Sequence, residues 1–185
     1  LTGLFTDLIS SEPEEGKIYN GIIKEINGEN VGIFGLTTQE AVDISSPGAI
    51  TFSDYIDEAK RAVAAFESQG VDKIIAVTHI GYDDNPAVDN DLILAATVDG
   101  IDVIVGGHSH TSLQEPTVID RDATGRAKDP TLIVQAFQYN QFLGRLDVEF
   151  DKEGVITDFS GDLVAVSEKV ADSEVAAVLK VYSVS

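Results

Sequence analysis

The 185-residue chain contains no cysteine, which excludes disulfide bonds and thiolate sites from it. It also contains no methionine, even at position 1, so we expect a processed or partial product. No stretch approaches the ~18 consecutive apolar residues of a membrane-spanning helix, and the residues after Leu1 do not form a signal peptide. We therefore expect no membrane span in this chain.

Basic residues are scarce, with 12 Lys and Arg against 32 Asp and Glu, a formal net charge of −20 and a pI near 4.2. Such a chain repels nucleic-acid polymers and anionic membranes. A phosphate substrate would be repelled as well, unless bound metal ions reversed the local field. Most of the carboxylates are best explained as a solvated acidic surface.

The length and the hydrophobic content of 43% are those of one globular domain with a sizeable core. Short apolar runs alternate with amphipathic segments, which predicts an α/β fold with a mixed sheet. Helices are predicted over 53–68 and 89–99, and 37–50 is predicted to be a long loop. A strand–helix–strand unit is predicted over 73–105.

Histidine is the residue type with the most informative placement, because all three histidines follow strand-like runs. His79 ends the run 73–78, while His108 and His110 follow the run 101–105 and two glycines. In open α/β sheets, binding sites form outside the carboxyl ends of strands. We therefore expect the three imidazoles to converge on one crevice.

Metal binding is the chemistry that this arrangement favours. If the backbone from His108 to His110 is extended, both side chains point the same way and can share a divalent ion or hold two neighbouring ions. The alternative is that these histidines are hydrogen-bonded loop residues with a structural role. The similar placement of His79 favours the metal site.

Several motifs in the same order resemble the 5′-nucleotidase branch of the calcineurin-like metallophosphoesterases. The resemblance extends from about residue 19 to about residue 163. The matching segments are VGIFGLTT at 31–38, HIGYD at 79–83, GIDVIVGGHSHT at 100–111, VQA at 134–136 and LGRLDV at 143–148.

The resemblance implies a four-layer αββα domain that holds two divalent metals between two sheets and hydrolyses phosphate esters. By position, His79 and His108 would bind one metal, and His110 would bind the other. Imidazole ligands suit Zn, Mn, Fe or Co comparably. The histidines would act as ligands rather than general bases, and no catalytic or substrate-binding residue is identified.

The family's earlier motifs, Asp-x-His, Gly-Asp-x-x-Asp and Gly-Asn-His-Asp/Glu, do not occur in this sequence. We therefore expect residues 1–170 to be the C-terminal half of a metallophosphoesterase catalytic domain. Residues 171–185 would be a helix or linker toward a missing C-terminal domain. The missing N-terminal half would then be a partner, and this chain alone would be inactive.

The predicted function is part of a two-metal phosphoesterase acting on nucleotides, of the 5′-nucleotidase or 2′,3′-cyclic nucleotide phosphodiesterase type. The alternative is a non-catalytic fragment or surface binding module with at most one metal at three histidines. The absence of cysteine and the acidic surface fit a bacterial protein that is extracellular or at the cell surface.

Overall fold

The computed structural model describes residues 5–14, 16–83 and 85–166, which form nine strands and three helices. The strands are β1 (Phe5–Ser10), β2 (Ile18–Ile26), β3 (Glu29–Thr37), β4 (Lys73–His79), β5 (Val103–Val105), β6 (Thr117–Arg121), β7 (Ala127–Val134), β8 (Phe142–Phe150) and β9 (Ile156–Ala165). The helices are α1 (Ala41–Ile44), α2 (Tyr55–Glu67) and α3 (Asp91–Thr97). The predicted α/β class is confirmed.

Seven strands form one mixed sheet in the order β1-β2-β3-β4-β5-β7-β6, and β8 pairs with β9 in a separate antiparallel sheet. The central strands β3, β4, β5 and β7 run parallel, whereas the β2–β3 and β6–β7 pairs are antiparallel. Parallel central strands bring their carboxyl ends to one edge of the sheet. The histidine-bearing segments follow two of these strands.

The predicted strand–helix–strand unit is confirmed as β4, α3 and β5. Ala76 of β4 pairs with Ile104 of β5, and both side chains are fully buried. Side chains alternate between the faces of a strand, so these residues lie on the face that the helices cover. Asn90 begins α3 by accepting a hydrogen bond from the backbone N–H of Ile93 at 2.7 Å, as an N-cap residue does.

Helix α2 packs its apolar stripe on the sheet through Phe66, which is completely buried. A Cβ at Gly21 or Gly32 would lie 2.6 or 2.7 Å from the Phe66 ring, so only glycine leaves room for this side chain. Asp54 caps the helix by accepting from the backbone N–H of Asp57 at 3.0 Å. Among the helices of the described residues, none has the length and apolar composition needed to cross a membrane.

The opposite face of the sheet is partly bare. Val77 and Val105 are partners in the β4–β5 register, and 49% and 41% of their surfaces are exposed. Apolar side chains on central strands are normally covered in parallel sheets. This face therefore presents an apolar surface next to the histidine segments.

One local prediction needs correction. The stretch 37–50 is not entirely a loop, because it contains the single-turn helix α1. After residue 112, β6 and β7 form an antiparallel hairpin whose register shifts between Ile119 and Arg121. The helix or linker predicted over 171–185 lies outside the described residues and stays a prediction.

Candidate metal centre

His79 and His108 meet at the carboxyl edge of the sheet. His79 is the last residue of β4, and His108 follows β5 after Gly106 and Gly107. The two imidazole rings are in edge-on contact, with centroids 5.1 Å apart and planes at 71°. A Cβ at Gly107 would lie 3.0 Å from His79 Nδ1 and 3.2 Å from the carbonyl oxygen of Thr78. The glycine therefore permits the close approach of the two segments.

The backbone of the histidine loop, residues 106–111, is not extended, so the condition under which both histidine side chains would point the same way is not met. His108 has φ 72° and His110 has φ 54°, both in the left-handed region that side-chain-bearing residues rarely adopt. The backbone N–H of Ser109 also donates to the carbonyl oxygen of Gly107 at 2.9 Å, which tightens the turn. The i, i+2 spacing therefore does not place the two side chains together by strand alternation.

His110 lies close enough to His79 to influence it electrostatically. Displacement of surrounding water lowers the pKa of His79, and the nearby charges of His108 and His110 lower that pKa further. A lowered pKa keeps the imidazole neutral near pH 7, and a neutral imidazole has the lone pair that a metal requires.

Glu40 is a site residue that the sequence reasoning missed. Its Oε2 lies 3.3 Å from Nε2 of His108, and the side chain of Asn85 donates to its other carboxylate oxygen. The amide of Asn85 and the imidazole of His108 together hold the pKa of Glu40 below its usual range. Glu40 is therefore a carboxylate beside an imidazole that was predicted to bind metal.

The position of Glu40 depends on contacts across the chain. It follows β3, the neighbour of β4, and the backbone N–H of Glu40 donates to Thr38 Oγ1 at 3.0 Å. Thr38 Oγ1 in turn donates to the buried carboxylate of Asp89 at 3.3 Å. Thr38 therefore caps the turn that carries Glu40. The only sequence signal for Glu40 was its place after a strand that borders β4.

An unusual aromatic turn borders His110. The ring of Tyr139 lies 5.8 Å from the His110 ring, centroid to centroid, and 81% of Tyr139 is exposed. Phe137, Tyr139 and Asn140 all have positive φ, between 54° and 62°. Left-handed backbone in non-glycine residues clusters at functional sites, and this turn meets the histidine loop, which has the same kind of backbone, through the contact between Tyr139 and His110.

The described residues supply suitable donors but not a complete metal cage. Within 5–14, 16–83 and 85–166, no group of three or more His, Cys, Asp or Glu side chains is arranged to hold a metal ion. His79 and His108 provide two neighbouring imidazoles, and Glu40 provides a carboxylate beside one of them. The donor chemistry fits a divalent transition metal, and further donors would have to come from outside these residues.

No family model matches the sequence, but curated proteins and solved structures do. The trifunctional nucleotide phosphoesterase protein YfkN of Bacillus subtilis (strain 168) is 42% identical over 149 residues, which are 80% of this chain and 9% of that protein. A probable 5′-nucleotidase of Treponema pallidum (strain Nichols) is 36% identical over 151 residues, with 75% of this chain and 24% of that protein covered.

The fold is also similar to that of solved structures. The crystal structure of a 5′-nucleotidase precursor from Thermus thermophilus superposes with a TM-score of 0.70 and 34% sequence identity, covering 82% of this chain and 30% of that one. The chain thus spans 9 to 30% of the length of these three relatives.

Proposed function

Because this chain belongs to the 5′-nucleotidase family of metallophosphoesterases, we propose that it is part of an enzyme that hydrolyses nucleotide phosphate esters with two divalent metal ions. The observation that carries the proposal is the contact between the His79 and His108 rings at the carboxyl edge of the sheet. The relatives' names supply the substrate class, a nucleotide. We propose that the substrate is of either the 5′-monophosphate or the 2′,3′-cyclic type.

In this proposal His79 and His108 hold one metal, and His110 holds the other. The neutral state of His79 favours coordination. Two divalent ions of Zn, Mn, Fe or Co, when bound, would polarise phosphate oxygens and activate a water molecule. They would also offset the acidic character of the chain for an anionic substrate.

Glu40 has a supporting role toward His108. A carboxylate hydrogen-bonded to one nitrogen of an imidazole fixes the tautomer and the ring orientation, and it makes the other nitrogen a better ligand. Glu40 faces Nε2 of His108, and the amide of Asn85 holds its carboxylate in place. Glu40 therefore orients His108 for coordination through its other nitrogen.

The remaining ligands would come from the N-terminal half of the same catalytic domain, for which residues 1–170 would be the complement. The exposed Val77 and Val105 support this proposal, because a second sheet of a four-layer αββα sandwich would cover that apolar face. Residues 171–185 would lead toward a further domain. Alone, the chain would lack a complete site and would be inactive.

An extracellular or cell-surface location is part of the proposal. The relative from Thermus thermophilus is named a precursor, and the chain combines zero cysteines with a net charge of −20. Both features suit an exported bacterial protein.

A second candidate function is a non-catalytic binding module with at most one metal at the three histidines. It is favoured by one observation, that the described residues contain no complete group of metal donors. The two candidates differ in whether phosphate is released once the preceding half of the domain is supplied.

The deciding experiment is phosphate release from AMP and from 2′,3′-cyclic AMP. The chain would be assayed alone and together with the preceding part of the domain from the Bacillus subtilis relative, with Mn²⁺ or Zn²⁺ and with EDTA. We expect release only in the combined sample with metal. His108→Ala should reduce it by at least about 100-fold, since loss of an outer-shell partner alone costs about 10- to 100-fold.

A suitable control for that assay is Gln114→Ala, because Gln114 is exposed on the loop that follows the histidines. It should leave phosphate release unchanged. Absence of release from a folded, metal-loaded combination would contradict the phosphoesterase proposal and favour the binding module.

A further inference from the structure

Gln135 lies directly beneath the histidine loop and is 2% exposed. It follows β7, whose parallel partner β5 leads into that loop. Its Nε2 donates to the carbonyl oxygen of Gly107 at 3.0 Å. Its Oε1 accepts from Ser109 Oγ at 3.2 Å and from the backbone N–H of Thr111. One buried amide therefore contacts the loop before, between and after the two histidines.

These contacts have an energetic reason. The positive φ angles of His108 and His110 are strained for residues that carry a side chain, and such conformations persist only where the surroundings over-determine them. Gln135 supplies that restraint, since the groups it bonds are fixed on both sides of each histidine. A Cβ at Gly106 would lie 3.1 Å from Gln135 Nε2, so the loop and the amide are in close contact.

The same network reaches the segment that carries His79. The backbone N–H of Tyr82, three residues after His79, donates to Ser109 Oγ at 2.9 Å. Ser109 Oγ also lies 2.8 Å from Thr111 Oγ1. The hydroxyl of Ser109 therefore links the amide of Gln135 to the loop after β4. Both histidine-bearing segments are held by one connected set of hydrogen bonds.

We propose that Gln135 is a positioning residue for the metal-binding imidazoles of His108 and His110. It acts through the backbone of the histidine loop. This inference rests on the proposed function, because it concerns the same site. The i, i+2 spacing of the histidines does not by itself place their side chains, and Gln135 fixes the backbone that does.

The test uses two substitutions and a matched control in the 185-residue chain. Gln135→Met keeps the length of the side chain and removes every amide hydrogen bond. Gln135→Glu keeps the acceptor and removes the donor to Gly107. Gln114→Met is the control, because Gln114 is exposed and its side chain donates to Ser112 Oγ rather than to the histidine loop. Zn²⁺ affinity is measured by calorimetry, and the ³J(HN–Hα) couplings of His108 and His110 are measured by NMR without metal.

We expect Gln135→Met to lower Zn²⁺ affinity by about 10- to 100-fold and to change both couplings, whereas Gln114→Met changes neither. Gln135→Glu should show a smaller loss in the same direction. Unchanged affinity and couplings in folded Gln135→Met would overturn the inference. If that variant does not fold, unchanged values in Gln135→Glu would overturn it instead.

Failure of the proposed function would look different. If the wild-type chain binds no Zn²⁺ either alone or together with the preceding part of the domain, the metal site itself is wrong. The couplings of the metal-free chain would still report whether Gln135 sets the backbone of His108 and His110. Couplings that do not respond to either substitution would reject the positioning role, whatever the metal does.

Discussion

At the scale of single residues, the site depends on side chains that the histidine pattern does not reveal. The sequence predicted that His79, His108 and His110 lie after the ends of strands, because each follows an apolar run. It did not predict the left-handed backbone of His108 and His110, which depends on contacts with other segments. Glu40 was missed for the same reason, since 68 residues separate it from His108.

The role of Glu40 leads to a direct prediction. Glu40→Gln removes the negative charge beside His108 Nε2 but keeps the size of the side chain, so Zn²⁺ affinity should fall by about 10-fold. Calorimetric titration of the 185-residue chain would measure this. Glu115→Gln, at an exposed position, is the matched control and should bind as the wild type does. Equal affinities in both variants would exclude the orienting role.

Asp102 predicts a pH dependence of stability. Burial raises the pKa of Asp102 to about 7, and the charge of Asp72 adds to that rise. Because the folded-state pKa lies above the unfolded value of 3.8, stability from this group is complete below pH 3.8 and is lost as the pH rises through 7. Its carboxylate accepts a hydrogen bond from the backbone N–H of Ile74 at 2.7 Å. The side-chain oxygen of an asparagine can accept the same hydrogen bond.

We therefore expect Asp102→Asn to be more stable than the wild type at pH 8, by roughly 1 to 3 kcal/mol, with a smaller gain at pH 5.5. Urea unfolding at both pH values would measure the difference. Asp99→Asn alters a carboxylate whose side chain is 81% exposed, and it serves as the control. If Asp102→Asn raises the free energy of unfolding by the same amount at both pH values, the raised pKa of Asp102 is contradicted.

At the scale of elements, sequence patterns located the strands and helices well because burial sets their periodicity. The β-branched run before His79 became β4, and the Asn27-Gly28 turn joins β2 to β3 as its type predicts. The single turn α1 was missed because four residues carry no periodic signal. The alignment of β6 with β7 depends on packing against β5 and α3, which no pattern within the two strands reveals.

The packing of α2 on the sheet makes a specific prediction. A Cβ at Gly32 would lie 2.7 to 2.9 Å from three carbons of the Phe66 ring, so Gly32→Ala must displace a fully buried side chain. Such overpacking costs about 1 to 3 kcal/mol. Gly35→Ala in the same strand is the control, because its Cβ would meet only Val77 O at 3.7 Å. Urea unfolding should show a loss for Gly32→Ala alone.

At the scale of the whole molecule, the bare sheet face and the incomplete donor set both fit the proposal that a further part of the domain packs against this chain. Val77 and Val105 are exposed next to a site that has imidazoles but, among the described residues, lacks a full set of ligands. The chain also spans only 9 to 30% of the length of three of its relatives. The missing motifs predicted that an N-terminal half of the domain is a partner of this chain, and we propose that it packs on this apolar face.

We expect the chain alone to bind the dye ANS on this face. Fluorescence should fall when the preceding part of the domain from the Bacillus subtilis relative is added. It should also fall in a double variant with Val77→Ser and Val105→Ser, because that change removes the apolar surface. Val42→Ser, at an exposed position on α1, should leave the signal unchanged. A signal that neither the added half nor the double variant reduces would place the apolar surface elsewhere.

The most direct test of the proposed metal centre uses the fact that the chain has only three histidines. Each imidazole can be followed separately in ¹H–¹⁵N spectra while Zn²⁺ is added. We expect the signals of His79, His108 and His110 all to shift and to reach saturation over the same range of Zn²⁺ concentration. Shifts confined to one histidine, or no shift either in the folded chain or after the preceding part of the domain is added, would contradict a metal site built from these three residues.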